Sequence, residues 1–297
     1  MTEFVGQTQV RETEVREQRI PVFVSGLPGR MATLVAGQLA QNEHFDLSRY
    51  AMTSARHRRT VQQYGERRVY LVDYCPFDLQ SGTIAVDFTT SQSAPVNVIH
   101  YTSLDIPFVM GTTVTEEDRR EIEKMVRKSQ ICAVIAPNMD SQVVNQQITI
   151  DDMHECDPDI FQKARVNICE SHQRTKMRAD GTPIISGTAL AFKAQFEKYG
   201  AAVEQIESIR DPELQRSLGI PEEYLEGHGY HWVEVRGEDG HVIMAFTLMV
   251  HGRSSYVEGA LMDVEFLDEQ RRADVRGRVF SQADVLRCKE ASMNRGP

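Results

Sequence analysis

The most constraining feature of the chain is a short apolar run that leads directly into a glycine turn and a helical stretch. Ile20-Pro-Val-Phe-Val-Ser25 is rich in β-branched residues and is typical of a buried strand. Gly26-Leu-Pro-Gly29 then turns the chain, and residues 31–41 place apolar side chains at helical spacing among strong helix formers. In this context a glycine-rich loop lets the backbone approach a pyrophosphate at the helix N-terminus. The spacing is not GxGxxG, so an ordinary strand–turn–helix unit is the alternative.

The rest of the first half alternates strand and helix patterns. Strands are predicted at residues 68–72, 83–88, 107–110 and 132–136, and a charged amphipathic helix is predicted over 116–129. This alternation predicts an α/β fold built on a Rossmann-like, doubly wound parallel sheet.

The second half has a different pattern. It has strand patterns at residues 165–170, 230–235 and 241–250 and a helical pattern at 186–199, while residues 257–267 fit either a strand or a helix. Gly237-Glu-Asp-Gly240 is a good hairpin turn. The pattern predicts an α+β domain with a mixed or antiparallel sheet. The expected domains are a flexible extension (1–19), a first domain (20–138) and a second domain (139–269), with a helix in 270–297 packing back on the first domain.

Charge and cysteine usage narrow the function. The 297 residues carry 33 basic and 43 acidic side chains, for a net charge of −10, which argues against a general nucleic-acid binder. No apolar run approaches the length of a membrane span, and the charged N-terminus lacks the apolar core of a secretory signal. The five cysteines have no CxxC spacing, which indicates reduced thiols and no zinc site. The sequence therefore predicts a cytoplasmic protein with no metal and with neither nucleic acid nor membrane as a partner.

A basic loop lies where the second cofactor determinant belongs, at the end of the second strand. An acidic residue there would bind the ribose hydroxyls of NAD. The chain instead reads Met52-Thr-Ser-Ala-Arg-His-Arg-Arg59, without Asp or Glu. Ser54 and Arg56 suit a 2′-phosphate, which favours NADPH and leaves NADH possible. A solvated basic loop is the alternative.

Residues 170–189 combine a proton donor with groups that suit an anion. His172 precedes Lys176 by four residues, and Ser186-Gly-Thr-Ala189 follows a polar spacer at the start of a predicted helix. A histidine titrates near neutral pH and can protonate a bound anion, which a lysine can hold. Each piece has an ordinary explanation too, because a single His near a Lys usually lies in a plain polar loop and Ser-Gly-Thr is most often an N-cap.

Seven ordered motifs carry a family resemblance that spans nearly the whole chain from Ile20. They are Gly26-Leu-Pro-Gly-Arg-Met31, Val86-Asp-Phe-Thr89, Pro107-Phe-Val-Met-Gly-Thr-Thr113, Val134-Ile-Ala-Pro-Asn-Met139, Glu170-Ser-His-Gln with Lys176, Ser186-Gly-Thr-Ala189 and His251-Gly-Arg-Ser-Ser-Tyr-Val-Glu-Gly259. In this order they resemble dihydrodipicolinate reductase, the NAD(P)H enzyme of lysine and diaminopimelate biosynthesis. Glu-Ser-His-Gln, Arg210-Asp-Pro-Glu and Gly219-Ile-Pro-Glu-Glu are similar to the plant-type branch of that family.

The resemblance implies a role for each matched position. His172 would give the proton, and Lys176 would be its cationic partner. The cofactor would be bound by Gly26, Gly29, Arg30, Met31, Ser54, Arg56, Phe88, Thr89, Gly111, Thr113, Ala136, Asn138, Met139 and Arg253. The substrate would contact Thr112, Gln173, Ser186, Gly187 and Thr188. It would be a dicarboxylate cyclic imine, 4-hydroxy-tetrahydrodipicolinate, reduced to tetrahydrodipicolinate with hydride from NADPH. The resemblance further implies that the first domain (20–138) binds NAD(P)H and that the second domain (139–269) binds the substrate and forms the oligomer. The family also implies a homotetramer formed through the second-domain sheet.

The chain departs from the family pattern at four places. Ala32 replaces the third glycine of the phosphate loop, Val114 replaces a glycine, and Thr90-Ser-Gln stands where a proline is usual. The spacer 177–185 is longer than in the family and carries a turn signal at Asp180-Gly181. It is therefore expected to bulge beside the substrate pocket. Val114 and the spacer motivate one alternative, an imine reductase for a different carboxylated cyclic imine. A non-catalytic NADPH-binding regulator is a further alternative from another class of function.

Overall fold

The computed structural model describes residues 19–293, in which two sheets are assembled from twelve strands. In chain order the strands are β1 (Ile20–Ser25), β2 (Phe45–Met52), β3 (Val61–Tyr64), β4 (Arg67–Val72), β5 (Ile84–Asp87), β6 (Phe108–Met110), β7 (Ala133–Ile135), β8 (Arg165–His172), β9 (Ala202–Ile209), β10 (His228–Arg236), β11 (Val242–His251) and β12 (Val279–Phe280). The helices are α1 (Arg30–Gln41), α2 (Ala94–Ser103), α3 (Glu116–Ser129), α4 (Ser141–Cys156), α5 (Gly187–Lys198), α6 (Pro212–Ser217), α7 (Ser254–Arg272) and α8 (Gln282–Met293). No helix among these residues is long and apolar enough to cross a membrane.

The first sheet has eight strands in the order β12-β7-β6-β5-β1-β2-β4-β3, and only the β3–β4 pair is antiparallel. Its central strands are apolar on both faces because helices cover both sides. The predicted Rossmann-like parallel sheet is confirmed. Helix α3 has the predicted bounds, and its start follows from Thr115, whose hydroxyl accepts from the Asp118 amide at 3.1 Å.

The second sheet has the order β11-β10-β8-β9, with β8 and β9 parallel and the other pairs antiparallel. Helices α4 and α5 cover one face through a cluster that includes Phe161, Phe192 and Phe196. The predicted mixed sheet of an α+β domain is confirmed. Residues 257–267, for which a strand or a helix was expected, belong to helix α7.

The chain returns to the first sheet earlier than the predicted boundary at residue 269. Helix α7 already packs on that sheet, with Ala260, Val264 and Leu267 in the same cluster as the apolar side chains of β1 and β5. Strand β12 then joins the sheet beside β7. Helix α7, which returns the chain to the first sheet, passes very close to the segment by which the chain leaves that sheet. A Cβ at Gly259 would lie only 2.0 Å from the Met139 carbonyl oxygen. Helix α7 thus packs on the first sheet although it lies before the predicted boundary at 269, since an apolar helix face needs a sheet to cover it; the domain division itself stays a prediction.

The parallel strands place the candidate site. The carboxyl ends of β1, β5, β6 and β7 lie at one edge of the first sheet, where ligands of doubly wound proteins bind. The chain leaves β7 at this edge and enters the second domain at Asp140, whose carboxylate accepts from the Val143 amide at 3.0 Å and starts α4. In the second sheet, the carboxyl end of β8 consequently points toward the same edge of the first sheet. His172 lies at this end of β8.

Candidate active site

The glycine turn after β1 is built for close backbone approach. Gly26 has φ +111°, and a Cβ there would lie 2.3 Å from the Phe88 carbonyl oxygen. A Cβ at Gly29 would lie 2.7 Å from the Gly26 oxygen, so neither position accepts a side chain. Helix α1 follows with its first-turn N–H groups unpaired within the helix. The loop therefore fits a pyrophosphate without the GxGxxG spacing.

A cavity of about 440 Å³ begins at this turn, and we call it the first cavity. Gly26, Gly29, Ser54, Phe88 and Thr89 line it, as expected for cofactor-binding residues. In the basic loop, Arg58 binds Asp73 at 3.1 Å. Arg56 is exposed and has no salt bridge to any residue of the described range 19–293. Arg56 is thus free to meet an added phosphate, although it does not line the cavity.

A buried carboxylate supports the next two loops. Asp87, fully buried at the end of β5, accepts from the side chains of Asn97 (2.8 Å), Tyr101 (2.9 Å) and Thr112 (3.0 Å) and from the Thr89 amide (3.0 Å). Thr112 also accepts from the Thr89 amide at 2.9 Å. The Thr112 hydroxyl, expected to contact substrate, therefore joins the loops after β5 and β6 instead of lining a cavity at this edge of the sheet.

The second cavity, about 350 Å³, adjoins the first at Phe88. It brings together residues that the sequence assigned to different tasks. The expected cofactor residues that line it are Met31, Phe88, Gly111, Ala136, Met139 and Arg253, and they face His172, Gln173 and Lys176. A Cβ at Gly111 would lie 2.2 Å from the Phe88 ring, so a glycine is needed for this packing.

The third cavity, about 620 Å³, shares His172 and Lys176 with the second, along with Ala136, Pro137 and Tyr256. Its other expected site residues are Thr113, Asn138, Ser186, Gly187 and Thr188. His172 and Lys176 thus lie between the second cavity and the third cavity, which extends to the start of α5.

His172 is held by a buried carboxylate. Its Nδ1 lies 2.6 Å from Glu170 Oε2, and Glu170 is fully buried. Burial alone would raise the pKa of Glu170, but hydrogen bonds from His172, Arg210 and Ser208 lower it to about 2. Glu170 is therefore ionised and fixes Nδ1 as the protonated nitrogen, which leaves Nε2 to face a substrate.

The surroundings of His172 lower its pKa. Burial lowers its pKa, the hydrogen bond to Glu170 opposes this, and the charge of Lys176 lowers the pKa further. The rings of His228 and His231 lie 6.4 and 5.4 Å from the His172 ring, and burial lowers both of their pKa values, that of His231 to about 3. His172 therefore has two neutral imidazoles as neighbours at neutral pH.

Lys176 supplies a positive charge without a fixed counterion. Its ammonium group makes no hydrogen bond or salt bridge within residues 19–293. Burial lowers its pKa, while Glu170 acts in the opposite direction. A half-buried cation in this state suits an anionic ligand, which would replace the lost water.

The start of α5 adds neutral donors. Ser186 is the N-cap, and its Oγ accepts from the Ala189 amide at 3.0 Å. His231 Nε2 lies 2.8 Å from the same oxygen, and His231 Nδ1 has no partner among the described residues. Since a buried unpaired N–H is rarer than an unpaired acceptor, the proton belongs on Nε2. The Ser186 O–H is then free to donate, together with the first-turn amides of Gly187 and Thr188.

Two charges that the sequence assigned to the cofactor lie together. Burial lowers the pKa of Arg253, and Arg30 lowers it further through charge repulsion. Arg30 does not line the second cavity, but its charge acts on Arg253, which does line it. Two nearby guanidinium groups favour a bound phosphate.

Sequence reasoning missed Glu170 and Arg210 as site residues. Glu170 stands two positions before His172, so strand periodicity could have placed both on one face of β8. Arg210 stood in the plant-type motif Arg210-Asp-Pro-Glu, but that motif does not indicate the contact with Glu170, which Arg210 reaches from the end of another strand at 2.6 Å.

The 177–185 spacer projects outward between Lys176 and Ser186, which line the third cavity, and does not itself enter the cavities. Met177 pairs with Pro183, and the Arg178 amide donates to the Thr182 oxygen at 2.8 Å, forming a small hairpin. Its tip at Asp180 and Gly181 is exposed, and none of residues 177–185, all of them described, lines the second or third cavity. Val114 packs against the core under α2 and α3 and also lines neither cavity.

Comparison with known proteins agrees with this geometry. Residues 20–139 match the family model "Dihydrodipicolinate reductase, N-terminus". The chain is 33% identical over 288 residues to "Probable 4-hydroxy-tetrahydrodipicolinate reductase 2, chloroplastic" of Oryza sativa subsp. japonica, covering 92% of this chain and 84% of the relative. It is 37% identical over 214 residues to "4-hydroxy-tetrahydrodipicolinate reductase 2, chloroplastic" of Arabidopsis thaliana, covering 71% of this chain and 59% of that protein.

A solved structure shares the fold. The dipicolinate-bound dihydrodipicolinate reductase of Paenisporosarcina sp. TG-14 superposes with a TM-score of 0.58 at 16% identity, over 89% of this chain and 98% of that chain. The sequence match to the rice protein extends through both domains, and the plant relatives agree with the plant-type motifs. This chain belongs to the dihydrodipicolinate reductase family, in its plant-type branch.

Proposed function

We propose that the protein catalyses the NADPH-dependent reduction of 4-hydroxy-tetrahydrodipicolinate to tetrahydrodipicolinate, in lysine and diaminopimelate biosynthesis. The observation that carries the proposal is the position of His172 and Lys176. They line both the second cavity, which adjoins the first cavity at Phe88, and the third cavity, at the start of α5. A reduction needs a hydride source and a proton source on the same substrate, and these two cavities meet at the proton source.

NADPH, when bound, supplies the hydride. The protein's residues do the remaining work. Lys176 and the start of α5, with Ser186, Gly187 and Thr188, hold the two carboxylates. The 4-hydroxyl leaves as water together with a hydrogen of a neighbouring ring carbon, which gives the conjugated imine. This imine takes up the hydride and one proton from His172 Nε2, so one hydride and one proton are consumed. Glu170 keeps the imidazole oriented through its 2.6 Å bond to Nδ1.

The substrate itself adjusts the proton donor. Burial and Lys176 lower the pKa of His172 in the free protein. A dicarboxylate brings negative charge to the cavity and neutralises Lys176, which raises that pKa again. The protonated imidazolium is therefore favoured when the substrate is in place, and kcat/KM is expected to fall as pH rises through the pKa of His172.

NADPH is preferred over NADH in this proposal. Ser54 lines the first cavity, Arg56 has no salt bridge in the described part of the chain, and Arg58 is already paired with Asp73. An Arg56→Gln variant should raise the KM for NADPH about tenfold and leave that for NADH within about twofold, since only the 2′-phosphate contact is lost. Equal effects on both cofactors would contradict the role of Arg56.

The two alternatives lack a favouring observation. A different substrate was suggested by Val114 and the 177–185 spacer, and neither lines a substrate-facing cavity. A non-catalytic regulator would need no oriented His172. The deciding assay follows NADPH oxidation with freshly generated 4-hydroxy-tetrahydrodipicolinate. Turnover supports the proposal. NADPH binding without turnover would contradict it and would favour one of the two alternatives.

The assembly and compartment remain predictions. We propose a homotetramer formed through the second sheet, whose strand β11 exposes Val242 and Ile243 at 49% and 40%. Light scattering coupled to gel filtration measures the assembly directly, and a monomer would contradict it. A cytoplasmic location was expected from the sequence, whereas the plant relatives are named chloroplastic.

A further inference from the structure

Below His172 lies a connected cluster, buried except for the half-buried Ser208, to which the family resemblance gave no role. It consists of Glu170, Ser208, Arg210 and Gln215, which we call the support cluster. Glu170 Oε1 accepts from Ser208 Oγ at 2.5 Å and from an Arg210 terminal nitrogen at 2.6 Å, while Oε2 meets His172. Gln215 donates to the His172 carbonyl oxygen at 2.8 Å.

Arg210 does more than neutralise Glu170. Its side chain is 6% exposed, and its Nε donates to the Lys176 carbonyl oxygen at 3.3 Å. The terminal nitrogen that binds Glu170 also donates to the Ile184 oxygen at 2.9 Å. Lys176 and Ile184 are the two ends of the hairpin, whose Ile184 amide donates to the Lys176 oxygen at 3.1 Å. One guanidinium therefore joins the carboxylate under His172 to the backbone of Lys176.

We infer that Glu170 and Arg210 are positioning residues, through which His172 and Lys176 are held at one fixed separation and orientation. Glu170 sets the tautomer and direction of the imidazole. Arg210 fixes Glu170 and closes the hairpin base, so that the spacer can project outward while Lys176 stays in the cavity. This inference rests on the proposed reductase function and goes beyond it.

The geometry of arginine is required for this arrangement. The guanidinium reaches four acceptors, because its second terminal nitrogen also donates to the Ile209 oxygen at 2.7 Å. A lysine has one nitrogen and cannot span carboxylate and carbonyls in a fixed fork. The two catalytic groups would then keep their chemistry but lose their mutual alignment, which matters at the scale of an ångström.

The test compares Glu170→Gln, Arg210→Met and Arg210→Lys with Arg216→Met and Arg216→Lys. Arg216 is a matched control, because it forms a bidentate pair with Glu222 on the exposed surface of α6, at 2.7 and 2.9 Å. The readouts are kcat and KM for substrate, NADPH affinity by fluorescence titration, the pH profile of kcat/KM, and titration of His172 by NMR of labelled imidazoles. The NMR signal is assigned by its loss in His172→Gln.

Glu170→Gln is expected to lower kcat about 10- to 100-fold, as for other partners that orient a functional histidine, with NADPH affinity unchanged. Its His172 titration should move about one unit lower in pH, because the facing negative charge is gone. The charged and titratable groups around His172 that stay in place are Lys176, Arg210, His228, His231, Arg253 and Tyr256.

Arg210→Met is expected to lose activity on the acid side, since the buried Glu170 carboxylate then lacks its cationic donor and takes up a proton more easily. Arg210→Lys keeps a charge, so it should retain the wild-type pH profile with a lowered kcat. If Arg210→Met does not fold, Arg210→Lys decides the matter. The Arg216 variants should resemble wild type in every readout.

Specific outcomes overturn the inference. They are a Glu170→Gln protein with kcat within twofold of wild type and an unmoved His172 titration, or folded Arg210 variants with unchanged kcat and pH profile. If wild type does not turn over the substrate, the proposed function fails, yet the NMR titrations still decide whether Glu170 and Arg210 govern His172.

Discussion

Two buried carboxylates lie at the site, and their partners differ in kind. Asp87, beneath the loop that carries Phe88, is bound by hydroxyl and amide groups from Thr89, Asn97, Tyr101 and Thr112. Glu170, beneath His172, is bound by a guanidinium, an imidazole and one hydroxyl. Neutral donors fix the shape of a loop. Ionic partners couple the charge of Glu170 to the charge of His172. The pKa of His172 can therefore change with bound substrate, and the Glu170 network can change with pH, whereas the neutral network around Asp87 lacks this coupling.

The largest expected effect separates reactivity from fold. His172→Gln should lower kcat about 10²- to 10⁴-fold, the usual contribution of a positioned general acid. Thermal stability should change little, because Glu170 keeps Arg210 and Ser208 as partners. Steady-state kinetics with thermal melts measure both quantities. A variant that retains a tenth or more of the wild-type kcat would remove His172 from its role.

The next effect concerns the neutral network. Asp87→Asn replaces an acceptor oxygen with an N–H group that faces other donors, so we expect a loss of about 2–4 kcal/mol in the free energy of unfolding. Urea denaturation measures this, with Asp73→Asn as the control because Asp73 is partly exposed beside Arg58. If both variants lose the same free energy of unfolding, the hydrogen bonds from neutral donors to Asp87 do not stabilise the loops after β5 and β6.

The ionic network has a pH signature. The pKa of Glu170 is about 2, below its ordinary value of 4.5. Ionised Glu170 therefore contributes stability that is present above about pH 4.5 and is lost as pH falls toward 2. The difference in unfolding free energy between wild type and Glu170→Gln should shrink over that window by as much as about 3 kcal/mol. Denaturant titrations across the window test this. Glu222→Gln, on the exposed surface, should show a much flatter difference.

The smallest expected effect is at the hairpin. Replacing Ala179-Asp-Gly-Thr182 with a shorter polar turn should change kcat and KM less than about twofold, because the tip is exposed and Arg210 holds the hairpin base. Kinetics of the shortened protein against wild type decide this. A large rise in KM would show that the spacer reaches the substrate after all.

Local patterns predicted much of this molecule. The strand at Ile20–Ser25 and the helix at Glu116–Ser129 have the predicted bounds. Both depend on signals within the segment itself, an apolar run for the strand and an N-cap residue for the helix. His172, Lys176 and Ser186 were likewise predicted as site residues from their own segment, and all three line one cavity, while their roles stay predictions.

Contacts between distant segments could not be read in this way. Arg210 lies 40 positions from Glu170, and its partners are backbone oxygens and a carboxylate, so no spacing rule connects them. Helix α7 was ambiguous for a related reason. Its buried residues include Asp263 and Gly259, so its apolar pattern is broken by packing needs that arise from other segments.

Gly259 has a mechanical consequence. The chain passes from the first sheet to the second near Met139 and returns along α7, and at Gly259 the two passages touch so closely that no Cβ fits. Any side chain at Gly259 would therefore displace the Met139 backbone, and we expect the displacement to reach the adjoining Ala136 and Asn138, which line the cavities.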